Sequence, residues 1–417
     1  MEKGIFDLRT FNLNNGIKLV SIKKDTQLAS IHIGVKIGSI YENKEEKGIS
    51  HFVEHMLFKG TKNRSNEELN EALEQRAGEY NAYTDYNCTV YSISALNEEL
   101  NSAVELLSDM LQNSVFSKEE MDKERGVILA EIRTSKDDVE EYSFNKTLEI
   151  AFKNSSIKID TIGKSSTVKK FSREQLFNYY KRYYVPNNTF ISIVSPNEHE
   201  DIFKLVEKYF KNWEATPFER GKVISENNLP NKKISYKKDI EQNTIIYLYT
   251  FHNLTKQEEL ALRILNYKLG ESANSLLFRK LREEKGLAYD VYSELDTTKS
   301  VKMLIIYTAV NEEEVNESIE IIENLLKDIK NEKIIFDERN IALMRKVIKT
   351  ALAGTLEDST ELSNYILHQI VDEEDIYEFI EDIKRMETIE KTDIYNISRK
   401  VLENPTVHIL LSQKSDK

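Results

Sequence analysis

The chain has 417 residues, 40% of them hydrophobic and 31% charged, with few Pro and Gly, so more than one compact core is expected and no disordered domain. A formal net charge of −13 argues against a nucleic-acid partner, because phosphate contacts need concentrated Lys and Arg, and here basic and acidic residues are mixed. The amino terminus lacks the basic start and apolar run of a secretory signal, no stretch offers the roughly 20 apolar residues of a membrane span, and the single Cys88 permits no internal disulfide; a cytoplasmic protein without a membrane partner is expected.

In chain order, the first informative element lies between Gly48 and Gly60, where Ile49, Phe52, Val53, Met56 and Leu57 give a short helix one apolar side. His51 and His55 stand four residues apart on it, about one turn, so both imidazoles leave from one face and can grip one ion. Neutral imidazole nitrogens suit zinc, which at a catalytic site keeps one position for water. Glu54 stands beside them as a candidate general base, taking a proton from a water acidified by the metal as that water attacks a peptide carbonyl. The plainer alternative is one packed and one solvated histidine; with only 7 His in the chain, a chance His-x-x-Glu-His is uncommon, but a third ligand is required.

Ser65-x-x-Glu68 then has the capping-box form that opens a helix, and Tyr83 to Ser94 alternates as a strand with Cys88 packed in it. Ser117-x-x-Glu120 opens a long helix on which Glu124 and Glu131 lie seven residues apart, nearly two turns, with Ile128 between them on the same side. Two inward-facing acids are costly unless a cation receives them. Either can complete a metal site with the histidines. Without the His helix, a salt-bridged surface helix using Lys123, Arg125 and Arg133 would be the simpler reading.

Ser172-x-x-Gln175 and Thr255-x-x-Glu258 open further helices. The strand-like Cys88 to Leu96, followed by Asn97-Glu98-Glu99 and an amphipathic helix, is echoed by Val301 to Val310 and Asn311-Glu312-Glu313. Phe116-Ser117 and Phe336-Asp337 then each open a long helix, so the chain reads as a duplicated module. The expected fold class is α+β, two homologous α/β sandwich domains with sheets flanked by helices. The boundaries are placed at 1–219 for a metal-binding domain, 220–233 for a linker containing Asn-Asn-Leu-Pro-Asn, and 234–417 for the second copy.

The stretches Gly38-Ser-Ile-Tyr-Glu-Asn and Gly48-Ile-Ser-His-Phe-Val-Glu-His-Met-Leu-Phe-Lys-Gly-Thr61 resemble the M16 zinc peptidases, the inverzincins. Phe11 to Val20, Gly78 to Thr84 and Lys123 to Ile132 fall in that family's order, and the whole is similar to short bacterial members related to mitochondrial processing peptidase. The resemblance implies that His51, His55 and Glu131 ligate one Zn2+ per chain, that Glu54 is the base, and that Glu124 is an outer acid orienting the ligands or water. In Leu277 to Tyr289 it implies that Arg282 and Tyr289 reach the substrate, with the Tyr289 hydroxyl donating to a developing oxyanion; taken without it, they read as a solvated charge and a core residue. It further implies a peptide or unfolded-polypeptide substrate added as a strand near Asn81 and Ala82, cleaved by a zinc endopeptidase in a closed chamber made by a homodimer. A non-catalytic scaffold or assembly subunit of the same fold is the alternative. Ala77-Gly78, Ser195-Pro196 and Gly270-Glu-Ser depart from the family's usual glycines, in loops rather than at ligands.

Overall fold

The computed structural model describes residues 7–413. The first half of the chain runs β1 (Asp7–Asn12), β2 (Lys18–Lys23), β3 (Leu28–Val35), α1 (Ile49–Leu57), α2 (Asn66–Glu74), β4 (Glu79–Thr84), β5 (Thr89–Leu96), α3 (Leu100–Asn113), α4 (Lys118–Asp137), α5 (Val139–Ala151), α6 (Ser165–Val168), α7 (Arg173–Tyr183), β6 (Thr189–Ser195) and α8 (His199–Phe210). The second runs β7 (Asn231–Lys237), β8 (Asn243–Thr250), α9 (Lys256–Asn266), β9 (Ala288–Asp296), β10 (Met303–Val310), α10 (Val315–Lys330), α11 (Glu338–Glu357), α12 (Ser359–Val371), α13 (Glu378–Glu387), α14 (Lys391–Val401) and β11 (Thr406–Ser412). Both halves are α/β, with sheets flanked by helices, as the sequence leads one to expect. Among the described residues, no helix is long and apolar enough to cross a membrane.

The chain packs into two compact units that interleave along the sequence: 1–133 with 160–222 and 351–378, and 134–159 with 223–350 and 379–417. Each unit therefore takes one helix from the other half of the chain. Residues 214–230 form no regular element, and β7 begins at Asn231.

The first unit is built on a sheet in the order β1-β2-β6-β3-β5-β4. β2 runs parallel to β6 and the other pairs are antiparallel. One face is apolar: Ile31, Ile33 and Val35 of β3 join Phe52 and Val53 of α1, Leu107 of α3, Ile128 of α4 and Tyr180 of α7 in one core. The other face of β3 and β6 is covered by α12, where small and polar side chains meet: Ser363 donates to the Ser192 carbonyl at 3.1 Å, and Leu367 lies over Gly34. Because both faces are covered, β3 is buried along nearly its whole length and loses the half-exposed alternation of a surface strand.

The second unit repeats the plan in the order β7-β11-β8-β10-β9. Ile245, Tyr247, Val407 and Ile409 face a core with helices α9, α10 and α14. α5 covers the opposite face of β8 and β11, where Thr244 donates to Ser143 at 2.6 Å and Ser143 lies 3.2 Å from the buried His408.

The strand expected over Tyr83 to Ser94 is two strands. Asp85, Tyr86 and Asn87 turn between β4 and β5, the Asp85 amide donating to the Cys88 carbonyl and the Asp85 carboxylate accepting from the Tyr86 amide. Cys88 is buried as expected, just before β5.

Candidate metal centre

Capping at its start and packing along one side fix α1. Gly48 precedes it in a left-handed conformation (φ 92°), with a Cβ there falling 2.7 Å from the Ile162 carbonyl oxygen, so glycine is required. The buried Glu42 accepts from the backbone amides of Gly48 (2.9 Å) and Ser50 (2.8 Å), placing a carboxylate at the positive end of the helix. Burial pushes Glu42 up to about 7, against the pull of Lys47 and those amides. Ile49, Phe52, Val53, Met56 and Leu57 are buried as the spacing predicts, leaving His51, Glu54 and His55 on the side that meets α4 and β4.

α4 presents its two acids through a similar division of faces. Ile128 is fully buried between them, and the Arg125 guanidinium donates to the carbonyls of Val168 and Phe171 while lying over the Phe52 ring, which pins α4 against α1. Glu124 is the more buried acid; its carboxylate accepts from His55 Nδ1 at 3.0 Å and from Lys59 Nζ at 2.8 Å. Glu131 Oε2 lies 3.9 Å from His51 Nε2 and 3.7 Å from His55 Nε2. Glu54, 8% exposed, accepts at 2.6 Å from the hydroxyl of Thr84, the last residue of β4.

His51, His55 and Glu131 each turn one donor atom into a common space, all within 4.8 Å of one another. Ligands at about 2.0–2.2 Å around a tetrahedral ion sit roughly 3.4 Å apart, so the observed spacings need only a small inward movement. Glu124 accepts the Nδ1–H of His55, which fixes the tautomer and turns the Nε2 lone pair toward the other two donors. Among the described residues His51 Nδ1 is buried without a hydrogen-bond partner, and its Nε2, 3.9 Å from Glu131, is the nitrogen in that space. Two imidazoles and one carboxylate, with a further carboxylate behind one imidazole, suit zinc. Burial pushes His51 down to about 3, with the neighbouring His55 adding to the effect, which keeps it in the neutral, ligating form. Burial also opposes a charge on His55, but the hydrogen bond to Glu124 and the charges of Glu131 and Glu54 outweigh it and hold His55 above its usual value. Burial raises Glu54, against the Thr84 hydrogen bond. Glu124 is lowered because its bonds to His55 and Lys59 overcome its burial.

Of the residues singled out from sequence, His51, Glu54, His55, Glu124 and Glu131 come together in the first unit. Asn81 and Ala82 lie there too, on β4, which forms the sheet edge and packs against α1. The turn into β4 places Ala77 at φ 49°, a left-handed conformation where the resembling family commonly has glycine. Arg282 and Tyr289 belong to the second unit: Arg282 lies in a π-helical segment, Phe278–Glu284, over the Phe278 ring, and Tyr289 is half exposed near the start of β9, its hydroxyl donating to Asn311 at 3.3 Å. Sequence reasoning assigned no role to Lys59 or Thr84. Neither has a local signature, because what distinguishes them is a partner on another element.

An inverted His-x-x-Glu-His helix facing a carboxylate-bearing helix, in a duplicated α/β fold, defines the inverzincin class. Within that class, the profile described as Insulinase (Peptidase family M16) matches residues 18–165, and that described as Peptidase M16 inactive domain matches residues 170–346. The chain belongs to the M16 peptidase family. It is 30% identical over 96% of its length to an uncharacterized zinc protease of Rickettsia felis, covering 96% of that protein. It is 31% identical to the uncharacterized zinc protease YmxG of Bacillus subtilis, over 86% of this chain and 85% of that one. Its fold matches the crystal structure of a protease from Helicobacter pylori with a TM-score of 0.90 at 19% identity, covering 98% of this chain and 100% of that one.

Proposed function

We propose that the protein is a zinc-dependent endopeptidase acting on short or unfolded peptides, with Glu54 as its general base. The observation that carries this reading is the convergence of His51, His55 and Glu131 beside a buried Glu54. When bound, zinc supplies Lewis acidity, polarising a peptide carbonyl and making a water acidic enough to attack near neutral pH. His51, His55 and Glu131 would hold the ion. Glu54 takes the proton of the attacking water and delivers it to the leaving amine, the usual double duty of a carboxylate in such a site. Glu124 fixes the ring of His55, and Lys59 supports Glu124.

The exposed edge of β4 at Asn81 and Ala82 offers backbone groups to a peptide laid alongside it, a mode that tolerates many side chains. Arg282 and Tyr289 as substrate contacts, the closed chamber and the homodimer are part of the same proposal and rest on the family resemblance. A cytoplasmic setting is supported by the single, buried cysteine. Purified protein is expected to carry about one zinc per chain by elemental analysis and to cleave quenched peptides. Glu54→Gln is expected to keep the zinc while activity falls about 10²–10⁴-fold. A Glu54→Gln protein as active as the wild type would exclude this mechanism.

A further inference from the structure

Glu54 is held by a residue that is neither a ligand nor on its own helix. Among the described residues, the Thr84 hydroxyl makes the only hydrogen bond to the Glu54 carboxylate, a short one at 2.6 Å. The end of a glutamate side chain turns easily, because the torsion that orients its carboxylate is broad. One bond to Oε2 restricts that freedom, and among the described residues no donor engages Oε1.

Threonine hydroxyls in this protein take both kinds of acceptor: Thr89 donates to the Ile37 carbonyl and Thr147 to that of Ser143, whereas Thr61 donates to the buried Asp109 carboxylate at 2.7 Å. Thr84 is of the second kind and reaches the buried acid of α1. It also ends the strand that carries Asn81 and Ala82, so one short segment of backbone holds both the base and the edge to which a peptide would add. Anything that firms up β4 also firms up the base.

We propose that Thr84 is a positioning residue that sets the orientation of the Glu54 carboxylate and links the base to the substrate-bearing edge strand. This rests on the peptidase reading above. The test uses the full-length, zinc-loaded protein with Thr84→Val, which keeps the shape and removes the donor, and Thr84→Ser, which restores it. For Thr84→Val, kcat is expected to fall about 10- to 100-fold, the effect of losing one hydrogen bond to a charged group. KM and zinc content are expected to stay at wild-type values, the metal-free protein to fold cooperatively with a melting midpoint lowered by a few degrees as Glu54 loses its donor, and Thr84→Ser to recover most of kcat. A crystal structure of Thr84→Val is expected to show Glu54 turned from its wild-type orientation. Unchanged kcat, or a loss that follows a loss of zinc or of folding, overturns the proposal. So does a Glu54 that keeps its orientation without the hydroxyl. That last readout needs no turnover: if the wild type cuts no peptide, the peptidase reading fails, while the orientation of Glu54 still decides the role of Thr84.

Discussion

The two halves of the chain use the same construction and differ where the chemistry would be. α4 and α11 have the same length, each follows a buried phenylalanine, Phe116 or Phe336, and each leads directly into a helix capped by an aspartate, Asp138 or Asp358. Where α4 carries Glu124 and Glu131, the matching places on α11 are Met344 and Ala351. Met344 is buried in the second core. α9, which follows β8, buries Leu260, Ala261, Leu262, Ile264 and Leu265 and has no histidine. A carboxylate in a buried position is costly, so acids persist there only where something cationic or a donor receives them. The first half bears that cost at Glu54 and Glu124, whereas the second has apolar groups such as Met344 in their place and gains core.

The sharpest way to break this comparison is to make the first half resemble the second. Glu131→Ala, the residue found at the matching place on α11, is expected to cost more than about 100-fold in zinc affinity, since it removes a donor outright rather than a group behind one. Competition with a chelator followed by metal analysis measures it, and unchanged affinity would mean the three donors do not form a site. Glu124→Gln is the next step down. It keeps the shape but loses the charge that holds the His55 tautomer, and about 10- to 100-fold weaker metal binding is expected in the same assay. If Glu124→Gln proved more damaging than Glu131→Ala, the two acids would have to exchange roles.

The sequence shows much of this and hides the rest for identifiable reasons. Ser65, Ser172 and Thr255 form the capping boxes their spacing announces, because a cap is settled within four consecutive residues. The metal helix is legible for the same reason: its apolar side and its two histidines lie within one short run. Choosing Glu131 over Glu124 needed more than periodicity, since both face one way; in the structure Lys59, from the loop after α1, engages Glu124 and leaves Glu131 turned to the histidines. The exchange of α5 and α12 between units leaves no trace in the sequence. Each is an ordinary helix of the same length with an Asp cap, and nothing in its own pattern says which sheet it will cover.

The exchanged helices also provide the smallest test. Beneath α12, β3 buries His32, next to Ser30 and near His368; beneath α5, β11 buries His408, 3.2 Å from Ser143. Burial lowers His408 to about 4, with Lys146 and Lys233 adding to the effect and Glu149 opposing it, and lowers His32 to about 3. Both histidines are therefore neutral in the fold, while in the unfolded chain they take up a proton near pH 6.5. The stability they confer is complete above that pH and drains away as pH falls toward the folded-state values. For His408, lowering the pH from 7 to 5.5 should remove about 1 kcal/mol. His408→Gln, which does not titrate, should flatten the pH dependence of amide exchange in α5 and β11 while leaving that in α12 and β3 as steep as before. If flattening appeared equally in both regions, the units would be opening as one cooperative body, and the contrast between them would be one of chemistry alone and not of stability.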